Sequence, residues 1–409
     1  MSESNGKPLF IPELRRDLQL IPVSDNDREL LYFHDALGYT PDDFALHSAV
    51  EPLLTLFNGR YRISDLLQQP GNEIKEEDLE GFINLLDQAN VLNTPSFEQR
   101  VEEIERGFET KTIREPALSG FSYPENPDRL KESLEKQFAH SKQAEVNGSD
   151  YRALFAPHID MRVGIREYVD SFSKLRGLKP KKVLILATSH YAGIYGSFYE
   201  GTPFIGSLKS YQIPGRVFKT DQRILNRLNR NSGINGFTLS DRAHRVEHSI
   251  ETHLIYLSAI WDHEFEIIPI LVGGLDELFY LSSGDLAKKT DRFTAELRSI
   301  FQSEEDLFTL ISGDLSHIGK KFGDSVAASD MKESVTKRDR QFMDTATNGS
   351  PDQMLNLLSE DVDSTRICGF PPLYIFLKAA QCKRGELINY RWWDETERES
   401  AVSYGSILY

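Results

Sequence analysis

The sequence predicts an α/β protein: a central, largely parallel or mixed sheet flanked by helices, with a small, mostly helical domain at the N-terminus. Three observations carry this reading. After residue 150, short apolar runs alternate with stretches of helical periodicity, and strands alternating with helices imply a sheet covered on both faces. Three of those runs close on a histidine: Leu154-Phe155-Ala156-Pro157-His158, Val183-Leu184-Ile185-Leu186-Ala187-Thr188-Ser189-His190 and Leu310-Ile311-Ser312-Gly313-Asp314-Leu315-Ser316-His317. Seven of the ten histidines fall between residues 158 and 317. Sheets of this class collect their chemistry at the carboxyl ends of the strands, so imidazoles delivered there point to a metal or acid/base site.

In chain order, residues 1–18 are expected to form a loose tail, with Met1 to Pro8 the most polar part. Residues 19–95 read as a small helical accessory domain. Ala49 to Phe57 has helical spacing, Asn58-Gly59 is a turn, Ser64-Asp65-Leu66-Leu67 is a capped helix start, and Asp78 to Ala89 is helical again through Leu79, Phe82, Ile83, Leu85 and Leu86. This succession resembles the winged-helix modules of small peptide-binding adaptor proteins. Residues 96–112 are rich in charge and read as a surface helix or linker. Residues 113–409 form the α/β domain. Within it, Glu145 to Asp150 is a polar loop, Ile165 to Leu175, Asp221 to Leu228 and Phe293 to Gln302 are helices, and Ile267 to Val272 is a strand.

Composition excludes several classes. A formal charge of −16 argues against nucleic acid, whose phosphates demand a basic face. No apolar run approaches the roughly 20 residues that span a bilayer, and no positive stretch leads into an apolar segment at the N-terminus, so neither a membrane span nor a signal peptide is expected. Two cysteines, Cys368 and Cys382, cannot build a disulfide framework and fit a reducing compartment. The expected location is cytoplasmic.

The candidate chemistry lies in four blocks. Ala156-Pro157-His158 and Thr188-Ser189-His190-Tyr191 each place an imidazole just beyond a strand; imidazole suits iron, zinc and copper. His244-Arg245-Val246-Glu247-His248-Ser249-Ile250-Glu251-Thr252-His253 is the densest cluster. Read as a helix, it sets His244 and His248 four apart on one face. It matches neither H-E-x-x-H nor H-x-x-E-H, which argues against a zinc protease. His248 is then a candidate acid/base group beside a metal held by the strand-end histidines, with Glu251 orienting it or capping its helix. The bland alternative has Glu247 and Glu251 solvating a helix face. In Gly313-Asp314-Leu315-Ser316-His317, Asp314 suits three roles equally: metal ligand, helix cap or partner fixing a histidine tautomer. Ser316 lacks the G-x-S-x-G elbow of a serine hydrolase, and Gly273-Gly274 belongs to no nucleotide-binding pattern.

Taken in order, these blocks resemble the Memo-like family, protein B of the AmmeMemoRadiSam system. The likeness begins at Arg114-Glu115-Pro116 and Gly120-Phe121-Ser122-Tyr123-Pro124, takes in the blocks above with Ile268-Pro269-Ile270-Leu271-Val272-Gly273 and Cys368-Gly369, and closes at Val402-Ser403-Tyr404-Gly405. It implies a fold similar to the class III extradiol dioxygenases, which are non-haem iron enzymes, and a metal held by His158 and His190, with His248 in the acid/base position. Some Memo-like proteins carry a cysteine as third ligand where this chain has Ser316. Neutral serine is a poor ligand, so the resemblance expects Asp314 or water to complete the site and disfavours copper or thiolate-type iron chemistry. After Ala156-Pro157-His158 the family's Ala-Gly-Tyr is replaced by Ile159-Asp160-Met161, which alters the pocket.

The combined expectation is a metalloprotein with redox or oxygenase-type chemistry on a small organic or peptide substrate. Fe(II) is the expected ion, with zinc or copper as alternatives. His158, His190, Asp314 and Ser316 are the metal-site residues, and His248 and Glu251 the catalytic ones. The rival expectation is a non-catalytic peptide- or protein-binding module that partners a radical S-adenosylmethionine enzyme. A plain ring-cleaving dioxygenase is the third.

Overall fold

The computed structural model describes residues 10–26, 28–68, 74–139, 151–382 and 384–409. The expected loop Glu145 to Asp150 and the most polar part of the tail, residues 1–9, lie outside the described residues. The chain divides into two compact units, Met1–Thr110 and Lys111–Tyr409.

The first unit is mixed rather than mostly helical. Gln19–Asp25, Arg28–His34 and Ala45–His47 form an antiparallel sheet, and the helices Glu51–Leu54, Ile63–Leu67, Glu76–Gln88 and Pro95–Glu109 follow. The alternation in Arg28–His34, which buries Leu31 and Phe33, is a strand period that the helical reading overlooked. The expected tail is also overturned from residue 10 onward. Ile11 is fully buried, Glu13–Leu14 pairs with Leu92–Asn93, and buried Arg15 reaches Asp35 at 2.8 Å and the Asn90 carbonyl at 2.8 Å. The expected linker is helical through Glu109, capped by the Thr94 hydroxyl on the Phe97 N–H, and buries Phe108. The division between units therefore falls just after this helix, at Thr110.

The second unit is built on one large mixed sheet. Its centre is four parallel strands in the order Glu266–Val272, Lys182–Thr188, Leu307–Ser312, Ala153–Ala156. Phe204–Gly206 and Ser400–Leu408 flank this core antiparallel, and the last of these also pairs with His317–Gly319 and Glu386–Glu395. Each central strand is buried on both faces, which explains its unbroken apolar run. Alternate residues feed two cores. Val183, Ile185 and Ala187 pack with the helices Pro127–Phe138, Met161–Ser173 and Glu251–Ile260, while Leu184 and Leu186 pack with Asp285–Ser303 and Phe370–Ala380. No helix among the described residues is long and apolar enough to cross a membrane.

The 244–253 cluster is not one helix. Arg242–His244 is a short 3-10 turn, and the helix begins only at Glu251. The expected four-residue spacing of His244 and His248 on one face is therefore absent. His244 is buried, its ring bonded to the Tyr211 hydroxyl at 2.5 Å and the Ile205 carbonyl at 2.9 Å.

Candidate metal centre

The parallel strands end in register, with Ser312 opposite both Ala156 and Ala187. The residues just beyond them therefore meet. The His158 and His190 rings lie 4.7 Å apart centre to centre, and His248 lies 5.3 and 4.9 Å from them. Cys368 Sγ stands 3.4 Å from His158 Nε2. One donor atom each from His158, His190 and Cys368 falls within a 4.8 Å spread, a grouping that can hold a metal ion.

Hydrogen bonds decide which nitrogens are free. The Ser312 hydroxyl donates to the Ser249 carbonyl at 2.7 Å, so it must accept from His158 Nδ1–H at 3.0 Å. This leaves His158 Nε2 with its lone pair. His190 Nδ1 donates to Glu247 Oε1 at 2.9 Å, so in the neutral ring Nε2 is the nitrogen that keeps the lone pair. Glu247 also accepts the backbone N–H groups of His190, His248 and Ser249 at 2.8, 3.0 and 3.1 Å. A carboxylate behind a ligating histidine fixes the ring and raises its basicity. Nitrogen, nitrogen and sulfur is a donor set suited to iron, zinc or copper, and more so to soft ions once the thiol ionises. The residues present fit a metal ion.

Charge in the cluster follows from burial and close neighbours. Burial pushes the His158 ring well below its usual pKa, helped by His190. Burial also opposes a proton on His190, but Glu247 and Cys368 outweigh it and raise that ring well above the usual value. Glu247 is held at about 2: its burial is overcome by His190. His248 is lowered to about 4 by burial and by the neighbouring His190. Asp314 is pushed up to about 7 by burial, against the backbone N–H groups of His158 and Ile159, which it accepts at 2.9 and 3.1 Å. Burial raises the Cys368 thiol.

Two expected site residues stand elsewhere. The Ser316 hydroxyl donates to Asp339 at 2.5 Å, and its N–H goes to the Ser403 hydroxyl at 3.0 Å, so it pins the loop rather than facing the histidines. Glu251 is buried in an ion pair with Arg114 and also accepts the Tyr123 hydroxyl and the N–H groups of Ala117 and Leu118 at 2.7 and 2.9 Å. Those four bonds commit both its oxygens, so it can neither orient nor relay for His248. It anchors the opening 114–123 segment, and Arg114 in turn holds the carbonyls of His244 and Glu247.

Cys368 is the residue that sequence reasoning passed over as a ligand. It arrives on a loop, not at a strand end. Its signal was Gly369 beside it: a Cβ there would sit 2.7 Å from the Asp314 carbonyl oxygen, and one on Gly313 would sit 2.1 Å from Gly369 Cα. The two glycines let the loops close on each other, with the Gly369 N–H on the Asp314 carbonyl at 2.8 Å. His317 also joins the cluster. Its Nδ1 donates to the carbonyls of Leu315 and Arg366 at 3.0 and 3.1 Å, and a donor atom of its ring groups with Asp314 and Cys368.

A mixed α/β sheet with imidazoles, a thiol and carboxylates gathered at the carboxyl edge of its parallel strands defines an α/β protein with a candidate metal centre. The chain belongs to the Memo-like family, whose fold is of the class III extradiol dioxygenase type: a family model for Memo-like protein matches residues 114–408. A MEMO1 family protein of Aquifex aeolicus is 28% identical over 366 residues, covering 87% of this chain and 90% of its own length. One from Thermus thermophilus is 25% identical, covering 84% and 96%. These spans exceed the second unit, so both alignments reach into the first. A relative in Methanosarcina barkeri is 24% identical and covers 72% of this chain but 99% of itself, a length close to that of the second unit alone.

Proposed function

We propose that this protein is a cytoplasmic metalloprotein that binds Fe(II) through His158, His190 and Cys368 and carries out redox or oxygenase-type chemistry on a small organic or peptide substrate. The observation that supports this best is that one donor atom from each of two hydrogen-bonded imidazoles lies within a 4.8 Å spread of a thiol. Cysteine as third donor removes the objection to thiolate-type iron or copper chemistry, so Cu(I) and zinc are the competing ions. When bound, the ion supplies a Lewis-acidic and, for iron or copper, redox-active centre. The protein's own groups do the rest. Glu247 fixes His190 and, through two backbone N–H groups, the His248 segment. His248, with its ring 25% exposed and Nδ1 3.4 Å from Glu247, is placed to hold or move a proton at the edge of the site. Metal analysis of anaerobically purified protein tests the reading: near-stoichiometric iron that is lost in His158→Ala, His190→Ala and Cys368→Ser supports it, and equal traces in all four proteins defeat it.

The second reading is a binding module that partners a radical S-adenosylmethionine enzyme. The first unit, with its own core and its presence in the longer relatives, favours it. Relatives of second-unit length argue that the site's chemistry does not need that unit. Pull-downs with the full chain and with residues 111–409 separate the two, and a catechol panel with the Fe(II)-loaded protein tests plain ring cleavage.

A further inference from the structure

Cys368 belongs to two donor groups at once. One is His158, His190 and Cys368; the other is Asp314, His317 and Cys368, again with donor atoms within 4.8 Å of one another. The five donors fall into these two sets rather than one. Both sets share the sulfur, and they also approach each other through His158 Nε2 and Asp314 Oδ2, 3.8 Å apart.

The second set is a collection of lone pairs. Asp314 Oδ1 accepts the N–H groups of His158 and Ile159, while the Asp314 side chain is only 5% exposed and turns Oδ2 toward the cluster. His317 Nδ1 faces two backbone carbonyls, which can only accept, so Nδ1 carries the proton and the neutral ring offers a lone pair at Nε2. Cys368 Sγ already accepts the Asp314 N–H at 3.3 Å. A carboxylate oxygen, an imidazole nitrogen and a sulfur thus converge, with the thiol proton directed at the Asp314 carbonyl at 3.8 Å.

The loop that brings Cys368 in is built to hold this second set. Val362, Asp363 and Arg366 all adopt positive φ, at 57°, 48° and 58°. Such backbone is strained for non-glycine residues, valine above all, and persists where surrounding bonds over-determine it. Here they do. The Thr365 carbonyl accepts the His317 N–H at 2.8 Å, the Arg366 carbonyl takes the His317 ring, and the Arg366 guanidinium returns to the His317 carbonyl at 2.9 Å. One loop fixes both His317 and the sulfur.

We propose that the centre is dinuclear: Cys368 bridges two metal ions, one on His158 and His190, the other on Asp314 and His317. This rests on the mononuclear reading above and extends it. The donor set of the second position, oxygen, nitrogen and sulfur, suits a divalent borderline ion such as zinc or iron.

Co(II) titration of the metal-free full-length protein under anaerobic conditions tests it, followed by the sulfur-to-cobalt charge-transfer absorption and by bound metal after desalting. Two equivalents are expected, and the charge-transfer band should grow through both, because the same sulfur serves each ion. Asp314→Asn and His317→Ala should each stop at one equivalent. His190→Ala should also retain one, on the opposite side, and Cys368→Ser should lose the band entirely. Circular dichroism of each variant identifies any that fail to fold, and the band's growth in the wild type needs no variant at all. Saturation at one equivalent in the wild type, or a second equivalent that leaves the band unchanged, overturns the dinuclear proposal while leaving the mononuclear site intact. No binding at all defeats the mononuclear reading instead.

Discussion

Cys368 Sγ lies 3.4 Å from His158 Nε2 although 210 residues separate them in the chain. Gly313 and Gly369 make the approach possible, since a methyl group on either would overlap the opposite backbone. The thiol should therefore govern metal retention. Cys368→Ser is expected to lower bound metal at least tenfold, about 1.4 kcal/mol or more in binding free energy. Cys382→Ser, whose thiol belongs to none of the donor groups found among the described residues, should match the wild type. Elemental analysis of the two variants side by side provides the check.

Ser316 was expected at the metal and stands instead on Asp339, which also accepts the Ser403 and Tyr390 hydroxyls at 2.5 and 2.8 Å. Removing one donor from a buried carboxylate costs about 1–3 kcal/mol. Ser316→Ala should lower stability by that amount in urea denaturation and leave metal content per folded molecule unchanged. A loss of metal with no loss of stability would return Ser316 to the site.

How much was legible follows from where each residue sits. His158 and His190 could be found because each follows a buried strand, and strand ends converge by topology alone. Cys368 was marked only by the glycine beside it, because its loop reaches the site by a path that no periodicity encodes, braced by contacts from Arg366 to His317. Glu251 was misread for a local reason. The block looks helical throughout, yet its first seven residues are a 3-10 turn and an irregular segment tied down by Arg114, a residue 137 positions from Glu251. In the first unit, Leu31 and Phe33 show a strand period, but with few residues to display it before the chain turns.

The Arg114–Glu251 pair is fully buried at both side chains. Breaking such a pair from one side leaves an uncompensated buried charge and costs about 3–5 kcal/mol. Arg114→Met should destabilise by that order, and the double variant Arg114→Met/Glu251→Gln should recover part of it. The pair should also show in acid. Arg114 overcomes burial to hold the Glu251 carboxyl below its ordinary value, so its contribution is complete above about pH 4.5 and fades as pH falls through the lower folded value. Denaturation curves from pH 5 downward should be flatter for Glu251→Gln than for the wild type.

His253 gives the opposite histidine case. Its ring is fully buried, stacked at 5.8 Å on Phe172 and edge-on to Tyr168, and neither nitrogen has a hydrogen-bond partner among the described residues. Burial and the nearby His248 lower it to about 3, while the unfolded chain binds its proton near 6.5. Between those values the unfolded state holds one more proton than the folded state. The contribution is thus whole above about pH 6.5 and erodes as pH falls toward 3, by up to about 1.4 kcal/mol per pH unit. His253→Phe keeps an aromatic ring against Phe172 and removes the titration. Its stability, measured by urea denaturation between pH 6.5 and 5, should fall less steeply than that of the wild type by up to that slope. Parallel curves would mean that His253 takes up its proton in the folded state, with a partner that its burial in the apolar core does not provide.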